Sequence, residues 1–400
     1  MQNRIITNIS TVSLHSNHCV PIRERYPDLV DSTALQATFG ILLFLLFLGG
    51  IIGNVAVIYN LACTFVKFHV RHVFIWNLAI VNLLLTCVAL PITGAAAFTR
   101  NWVFGAFLCH SVPVLQCVIV FVTSFTLVAI AVDRRIAISP ASAQSGLGQQ
   151  AVYCVIVLSW LFSFVISLPY GAFVALGTNQ IPDTNETLCG VFCGERWPSD
   201  LWQRMFGLSV FFGQYLLPSA FISVNYYMVF RNVKNQTVLR LLAQNISSRS
   251  RIQAVKRQRK VNRMIMAMLL SFFTVWLPWQ IMNLMRDFDV YWMFFTHDAF
   301  TVIFLLCHLL AMTSVLWNPI IYTFCNQEFA SALAKKVTFL ADMLASASRV
   351  AYPSVASGAI NDNANANQQL FKMNHEQKAN ANELADNEEI QNGTLKEEMV

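Results

Sequence analysis

Long apolar runs alternate with short polar joints along most of this chain. Seven runs reach the roughly 20 mostly apolar residues that a helix needs to cross a bilayer. They are about Leu35 to Leu61, Val73 to Phe98, Leu108 to Val132, Ala151 to Leu176, Phe206 to Phe230, Met264 to Leu284 and Ala299 to Phe324. The pattern predicts an all-α membrane protein, a seven-transmembrane helix bundle. Residues 1–34 are polar and lack the basic start and short apolar core of a cleavable signal, so the first span is expected to direct insertion. After the seventh span, Phe329, Leu333, Val337 and Leu340 fall on one helical face beside Lys335 and Lys336. That spacing predicts a short amphipathic helix over 326–345, lying on the membrane surface. The rest, 346–400, is rich in Asn, Ala and Glu ("NDNANANQQ") and is expected to be a disordered tail. The division expected is therefore 1–34, 35–325, 326–345 and 346–400.

Charge orients the bundle. Only 12% of the chain is charged while 56% is hydrophobic, against about a quarter charged in a soluble domain. Arg231 to Arg263 holds ten Lys or Arg and no acid, and Lys67 and Arg71 follow the first span. Met285 to Asp298, on the other side, holds Asp287, Asp289 and Asp298 against the single Arg286. The excess of basic residues on cytoplasmic loops then predicts an extracellular N-terminus, a cytoplasmic C-terminus and a plasma-membrane location. The pI of 8.8 comes mostly from that one basic segment, which gives no reason to expect nucleic acid as a partner. Asn8-Ile-Ser and Asn185-Glu-Thr fall outside and are glycosylation candidates; Asn235, Asn245 and Asn392 match the same pattern but fall inside.

Candidate chemistry narrows the class. Of ten Cys, six lie in or at the ends of apolar runs, where Cys is a small buried hydrophobe. Cys19, Cys109, Cys189 and Cys193 lie where an oxidising compartment reaches them, allowing two disulfides in three pairings. A retinal-linked pump needs a Lys in its last span, and Ala299 to Phe324 has none. Transporters and channels place acids and bases within their spans, whereas these spans are almost free of them. Without a metal-ligand cluster or a nucleophile–base pair, the chain is not expected to be an enzyme or to carry a cofactor or metal.

Three motifs stand in order. The third run ends in Asp133-Arg134, the sixth contains "FFTVWLPW" with Trp276 and Pro278, and the seventh ends in "NPIIY", Asn318, Pro319 and on to Tyr322. With Asn54, Trp160 and Pro218, they make the chain resemble the rhodopsin-like (class A) G-protein-coupled receptors from about Ala34 to Leu340. More closely, "NWVFGAFLCHSVPVLQC", "CGERWP", "WLPWQIMNLMRDFD" and "LLCHLLAMTSVLWNP" are similar to the neuropeptide Y and invertebrate neuropeptide F receptor group. That group takes amidated peptides carrying Arg before a C-terminal aromatic residue. The resemblance implies an extracellular amidated peptide as ligand, of neuropeptide Y/F or RFamide type. It implies a heterotrimeric G protein of the Gi/o class inside, with arrestin as a further partner. A same-fold receptor for another peptide, such as a tachykinin-like one, is the alternative. It also implies that Cys109 pairs with Cys193, which leaves Cys189 to tie Cys19 to the same loop.

The resemblance assigns roles residue by residue. Gln116 stands where amine receptors of this fold carry Asp; a neutral amide argues against an amine ligand and for contact with a peptide's amide end, the plainer reading being a bond to a neighbouring helix. Asn283 and Asp287 share a helical face, and Asp287 is expected to pair with a peptide guanidinium. His308 is ionisable within a span, so it is expected either in the site or packed. Trp276, Pro278, Pro218, Tyr226, Asn318, Pro319 and Tyr322 are implied as the activation switch, with Pro278 kinking its helix. Asn82 departs from the family, which has Asp there to help hold sodium with Thr123 and Asn318; a neutral Asn predicts weak sodium modulation. Arg135 replaces the usual Tyr after Asp133-Arg134, and Gln258 stands where an acid often restrains the arginine. A loose inactive state with ligand-free signalling is expected.

Overall fold

The computed structural model describes residues 19–64, 70–138, 146–181, 186–242, 249–325 and 338. Seven helices within it are long and apolar enough to cross a membrane. They are α1 (Thr33–Thr64), α2 (Val70–Leu84, through Leu85–Ala89 to Leu90–Thr99), α3 (Gly105–Ile138) and α4 (Gln149–Ala172). Then come α5 (Asp200–Val210, through Phe211–Leu216 to Leu217–Leu242), α6 (Arg249–Asp287) and α7 (His297–Met312 with Ser314–Cys325). Six of the seven predicted spans fall inside one of them; the fourth, Ala151 to Leu176, overruns α4, which ends at Ala172 before the strand Val174–Gly177. Leu85–Ala89 and Phe211–Leu216 are π-helical, a local widening that hydrophobic spacing does not signal.

Two further boundaries differ from expectation. α5 begins at Asp200 rather than Phe206, because "DLWQRM" adds amphipathic turns beyond the apolar run. The basic stretch Arg231 to Arg263, read as a loop, is mostly helix: α5 continues to Leu242 and α6 begins at Arg249. The apolar run ends where lipid ends, but the helix does not. "QTVLRLL" and "RIQAVKRQRK" contain good helix formers and neither Pro nor Gly, so each further residue adds a backbone hydrogen bond. The sequons at Asn8 and Asn185, the amphipathic helix over 326–345 apart from Thr338, all of the tail 346–400, and the side chains of Lys67, Arg71 and Gln258 lie outside the described residues.

α3 is the hub. Seventy-two per cent of its most apolar window is buried within the bundle, against 22% for α1, α4 and α7 and 17% for α5. An uncharged run from Trp102 to Val132 suits that setting, where an unpaired charge would be costly. The bundle is fastened around it by buried amides. Asn77 donates to Thr126 Oγ1 at 2.8 Å and accepts from the Trp160 indole at 2.9 Å, joining α2, α3 and α4.

Prolines make further fasteners. A proline lacks the N–H that would bond the carbonyl four residues earlier, and in lipid that carbonyl needs another donor. Pro218 thus frees Gln214 O, which accepts the Ser124 hydroxyl at 2.8 Å. Pro319 frees Val315 O, which accepts the Asn54 amide at 2.9 Å. Beside the Pro278 kink, the Tyr215 hydroxyl donates to Phe273 O at 2.9 Å. Backbone defects on α5 and α7 become contacts to α3 and α1.

Candidate ligand cleft

One end of the bundle is stitched by two disulfides. Cys109 of α3 pairs with Cys193, as the resemblance implies, and Cys19 pairs with Cys189, as the two remaining external cysteines suggest. Between α4 and α5 the chain forms an antiparallel ribbon of β2 (Val174–Gly177) and β4 (Phe192–Glu195), with Val174 opposite Glu195. Short strands β1 (Cys19–Val20) and β3 (Thr187–Leu188) run parallel beside the second disulfide. Residues 19–32 are therefore docked rather than a free extension. Asp31 accepts from Arg100 at 2.8 Å and lies 3.3 Å from Arg23, while the Arg23 guanidinium also reaches Phe98 O at 3.1 Å.

Under this cover lies a cleft of about 830 Å³, part of it open to solvent. Gln116, Asn283, Asp287, His308 and Trp276 all line it, so side chains of α3, α6 and α7 meet in one space. Trp276 also lines a smaller cavity beneath, with Asn82, Thr123 and Asn318. It is both the floor of the cleft and the roof of the lower polar pocket. There Asn82 donates to Asn54 Oδ1 at 3.1 Å, and Thr123 to Ile119 O at 2.8 Å. No carboxylate lines that lower pocket.

The upper cleft has a charged rim and an amide floor. Arg286 Nη2 lies 3.0 Å from Glu195 Oε1 and 3.1 Å from Asp287 Oδ1. Glu195, placed by the β2–β4 ribbon, also accepts from Tyr170 O–H at 3.1 Å and the Trp197 indole at 2.8 Å. Asp287 accepts from the Gln203 amide at 3.3 Å, and its carboxylate rests against Gly207, where a side chain would collide with Oδ2. Deeper, Gln280 donates to Gln214 Oε1 at 2.9 Å and Gln214 to Cys117 O at 3.2 Å, linking α6, α5 and α3. Asn283 donates to Trp279 O at 2.8 Å, and His308 packs on Trp279 with ring centroids 4.5 Å apart. His308 Nδ1 and the Trp276 indole N–H have no hydrogen-bond partner among the described residues.

Sequence reasoning missed Tyr170, Glu195, Trp197, Gln203 and Arg286 as members of this site. Glu195 and Trp197 sit inside "CGERWP" and Arg286 beside Asp287, so the motifs held them without showing that they meet. Tyr170 and Gln203 carry no signal of their own. Outside the cleft, Asp28, His297 and Asp298 bring possible metal-ligating atoms within 4.8 Å of one another. Two of the three are exposed, and they sit at the positive end of α7; we assign no ion to them.

At the opposite end, Asp133 and Arg134 are 2% and 4% exposed and form a direct ion pair through Oδ2 and Nη2. The other Asp133 oxygen accepts the Leu147 N–H at 2.9 Å. Gly146 makes that approach possible: its φ is +102°, and a Cβ there would collide with Asp133 Oδ1. Arg135 points outward, reaching Asn225 Oδ1 of α5 at 3.4 Å. Tyr226 and Tyr322 are buried, and the Tyr226 hydroxyl has no partner among the described residues.

Residues 53–322 match the family described as 7 transmembrane receptor (rhodopsin family). The chain is 33% identical to neuropeptide receptor 3 of Caenorhabditis elegans over 324 residues, covering 79% of this chain and 83% of that protein. It is 31% identical to neuropeptide Y receptor type 4 of Rattus norvegicus over 287 residues, 70% and 73% of the two chains. Among solved structures, squid rhodopsin superposes with a TM-score of 0.66 at 20% identity, covering 82% of this chain and 92% of that one.

Proposed function

Because the chain belongs to the rhodopsin family of seven-transmembrane receptors, a family of receptors and not of enzymes, we propose that it is a plasma-membrane receptor switched on by an amidated neuropeptide. The disulfide end faces outward, as oxidised cysteines require, and the basic ends of α5 and α6 face the cytoplasm. The relatives named as neuropeptide receptors support the ligand class. The observation that carries the reading is the shape of the cleft's chemistry: carboxylates Glu195 and Asp287 at the mouth, and neutral amides over Trp276 below.

A peptide of the neuropeptide Y/F or RFamide type enters with its arginine against Asp287 and its amide end near Gln116. Among the described residues Gln116 makes no side-chain hydrogen bond, so its amide is available to donate and accept. Asn283 and His308 flank the path. Binding biases Trp276, and the α6 half below Pro278 swings outward. Arg134 then leaves Asp133 and meets a G protein, by resemblance of the Gi/o class; arrestin takes the same face. The ligand needs only to bind the open arrangement better than the closed one. Tyr226, whose hydroxyl has no partner among the described residues, is proposed to gain one in the open arrangement, and Tyr322, Pro218, Asn318 and Pro319 to belong to the same switch. The basic inner ends contact anionic lipid as well. The domain plan is 1–34 outside, with glycans on Asn8 and Asn185, 35–325 as the bundle, 326–345 on the inner leaflet and 346–400 as a free tail.

The test is to express the full chain, screen synthetic amidated neuropeptides for G-protein activation, and compare Asp287→Ala with wild type. Unchanged potency for an arginine-containing peptide would show that Asp287 does not receive the guanidinium.

A further inference from the structure

The cleft mouth carries its own arginine, and the charges do not balance. Glu195, Arg286 and Asp287 are the Asp, Glu, Lys or Arg residues lining it, two acids and one base, summing to −1. A single nitrogen, Arg286 Nη2, spans both carboxylates at 3.0 and 3.1 Å. We infer that Arg286 is a specificity-determining residue: an internal guanidinium that shares the two-carboxylate site and leaves room at Asp287 for one cationic group of the ligand. The inference rests on the proposed pairing of Asp287 with the peptide's arginine, and goes beyond it by naming what that arginine displaces.

The two acids are not held alike. Glu195 has two further donors from rigid neighbours, Tyr170 and Trp197, whereas Asp287, among the described residues, has the amide of Gln203 at 3.3 Å besides Arg286. Charge-assisted bonds exceed neutral ones in strength, so Asp287 is the acid with most to gain from a new guanidinium. Arg286 need not leave the cleft to yield it. It retains Glu195, and its guanidinium already lies over the Phe304 ring of α7, 5.8 Å from the centroid. Arg286 holds Asp287 Oδ1 through Nη2 at 3.1 Å and Nε at 3.3 Å, so a ligand cation trades that shared hold for a dedicated one and brings the local sum to zero. A second ligand cation at the same place finds no carboxylate left.

The experiment uses the full-length receptor at matched surface expression. It compares a synthetic amidated peptide ending Arg-Phe-amide with the same peptide carrying neutral citrulline in place of that arginine. Arg286→Gln removes the internal competitor, and the potency advantage of the arginine peptide is expected to grow about tenfold. Arg286→Lys, which keeps the charge, should retain the wild-type advantage. Glu195 keeps Tyr170 and Trp197 in both variants, so the ribbon stays anchored. Should Arg286→Gln fail to reach the surface, Glu195→Gln carries the test in the opposite direction, cutting the advantage about tenfold as the unliganded sum rises to zero. Equal shifts for both peptides, or no shift, overturn the role of Arg286 while leaving the peptide reading intact. A wild-type receptor that does not prefer arginine to citrulline overturns the underlying Asp287 pairing instead, and the inference with it.

Discussion

The two ends of the bundle each hold an arginine and an aspartate adjacent in sequence, Asp133-Arg134 at one and Arg286-Asp287 at the other, and they behave as opposites. At the inner end the pair is sealed, with side chains 3% and 5% exposed, and its charges cancel. At the mouth the side chains of Arg286 and Asp287 are 32% and 7% exposed, and a third group, Glu195, 17% exposed, arrives from the β2–β4 ribbon. One added carboxylate turns a balanced pair into an acidic surplus. Balance and burial make a lock, which opens only when helices move. Surplus and exposure make a receptacle, which recruits charge from solvent. The same two residue types therefore serve restraint at one end and recognition at the other, and the difference lies in what the tertiary fold adds to each.

If the inner pair is a lock, removing its acid is the most damaging change. Asp133→Asn leaves Arg134 buried without its carboxylate, a loss of about 3 kcal/mol or more. A lower melting temperature of the purified receptor and raised ligand-free G-protein activation are expected; unchanged values for both would show that the pair restrains nothing. The mouth answers differently. Asp287→Ala should weaken an arginine-containing peptide roughly 10- to 100-fold, the scale of a lost charge-assisted bond, with ligand-free signalling unaltered in a dose–response assay.

A milder probe of the lock is Gly146→Ala. A side chain at φ +102° is strained by about 1–3 kcal/mol, and it displaces Leu147 N–H from Asp133. Basal signalling should rise severalfold with agonist potency little changed, and an unaltered basal level would separate this loop from the lock. The wild-type chain is itself expected to signal measurably without ligand, since Asp133 is the restraint on Arg134 seen among the described residues. A silent receptor at normal surface expression counts against that. Smallest of all should be the response to sodium. With Asn82 bonded to Asn54 and no carboxylate in the lower pocket, replacing sodium by a larger cation should move agonist affinity less than about twofold. A strong sodium-induced loss would restore a cation site there.

Hydropathy alone determined the seven spans, because water and lipid act on each stretch of chain independently and leave their mark as runs of fixed length. The motifs around Asp133, Trp276 and Asn318 marked the family, and the position of Asp287 marked its mouth. Helix continuation through the basic stretch was legible in propensity but hidden by charge, since leaving the bilayer and leaving the helix are different events. What separation in sequence concealed was decided by packing. Glu195 and Arg286 are 91 positions apart, and nothing local to either says that one nitrogen will bridge two acids. Ser124 and Asn54 become proline partners only because α3 and α1 pass beside the carbonyls that Pro218 and Pro319 release. Local solvent preference wrote the helices into the chain; the sum of charges at each end existed only once the helices had met.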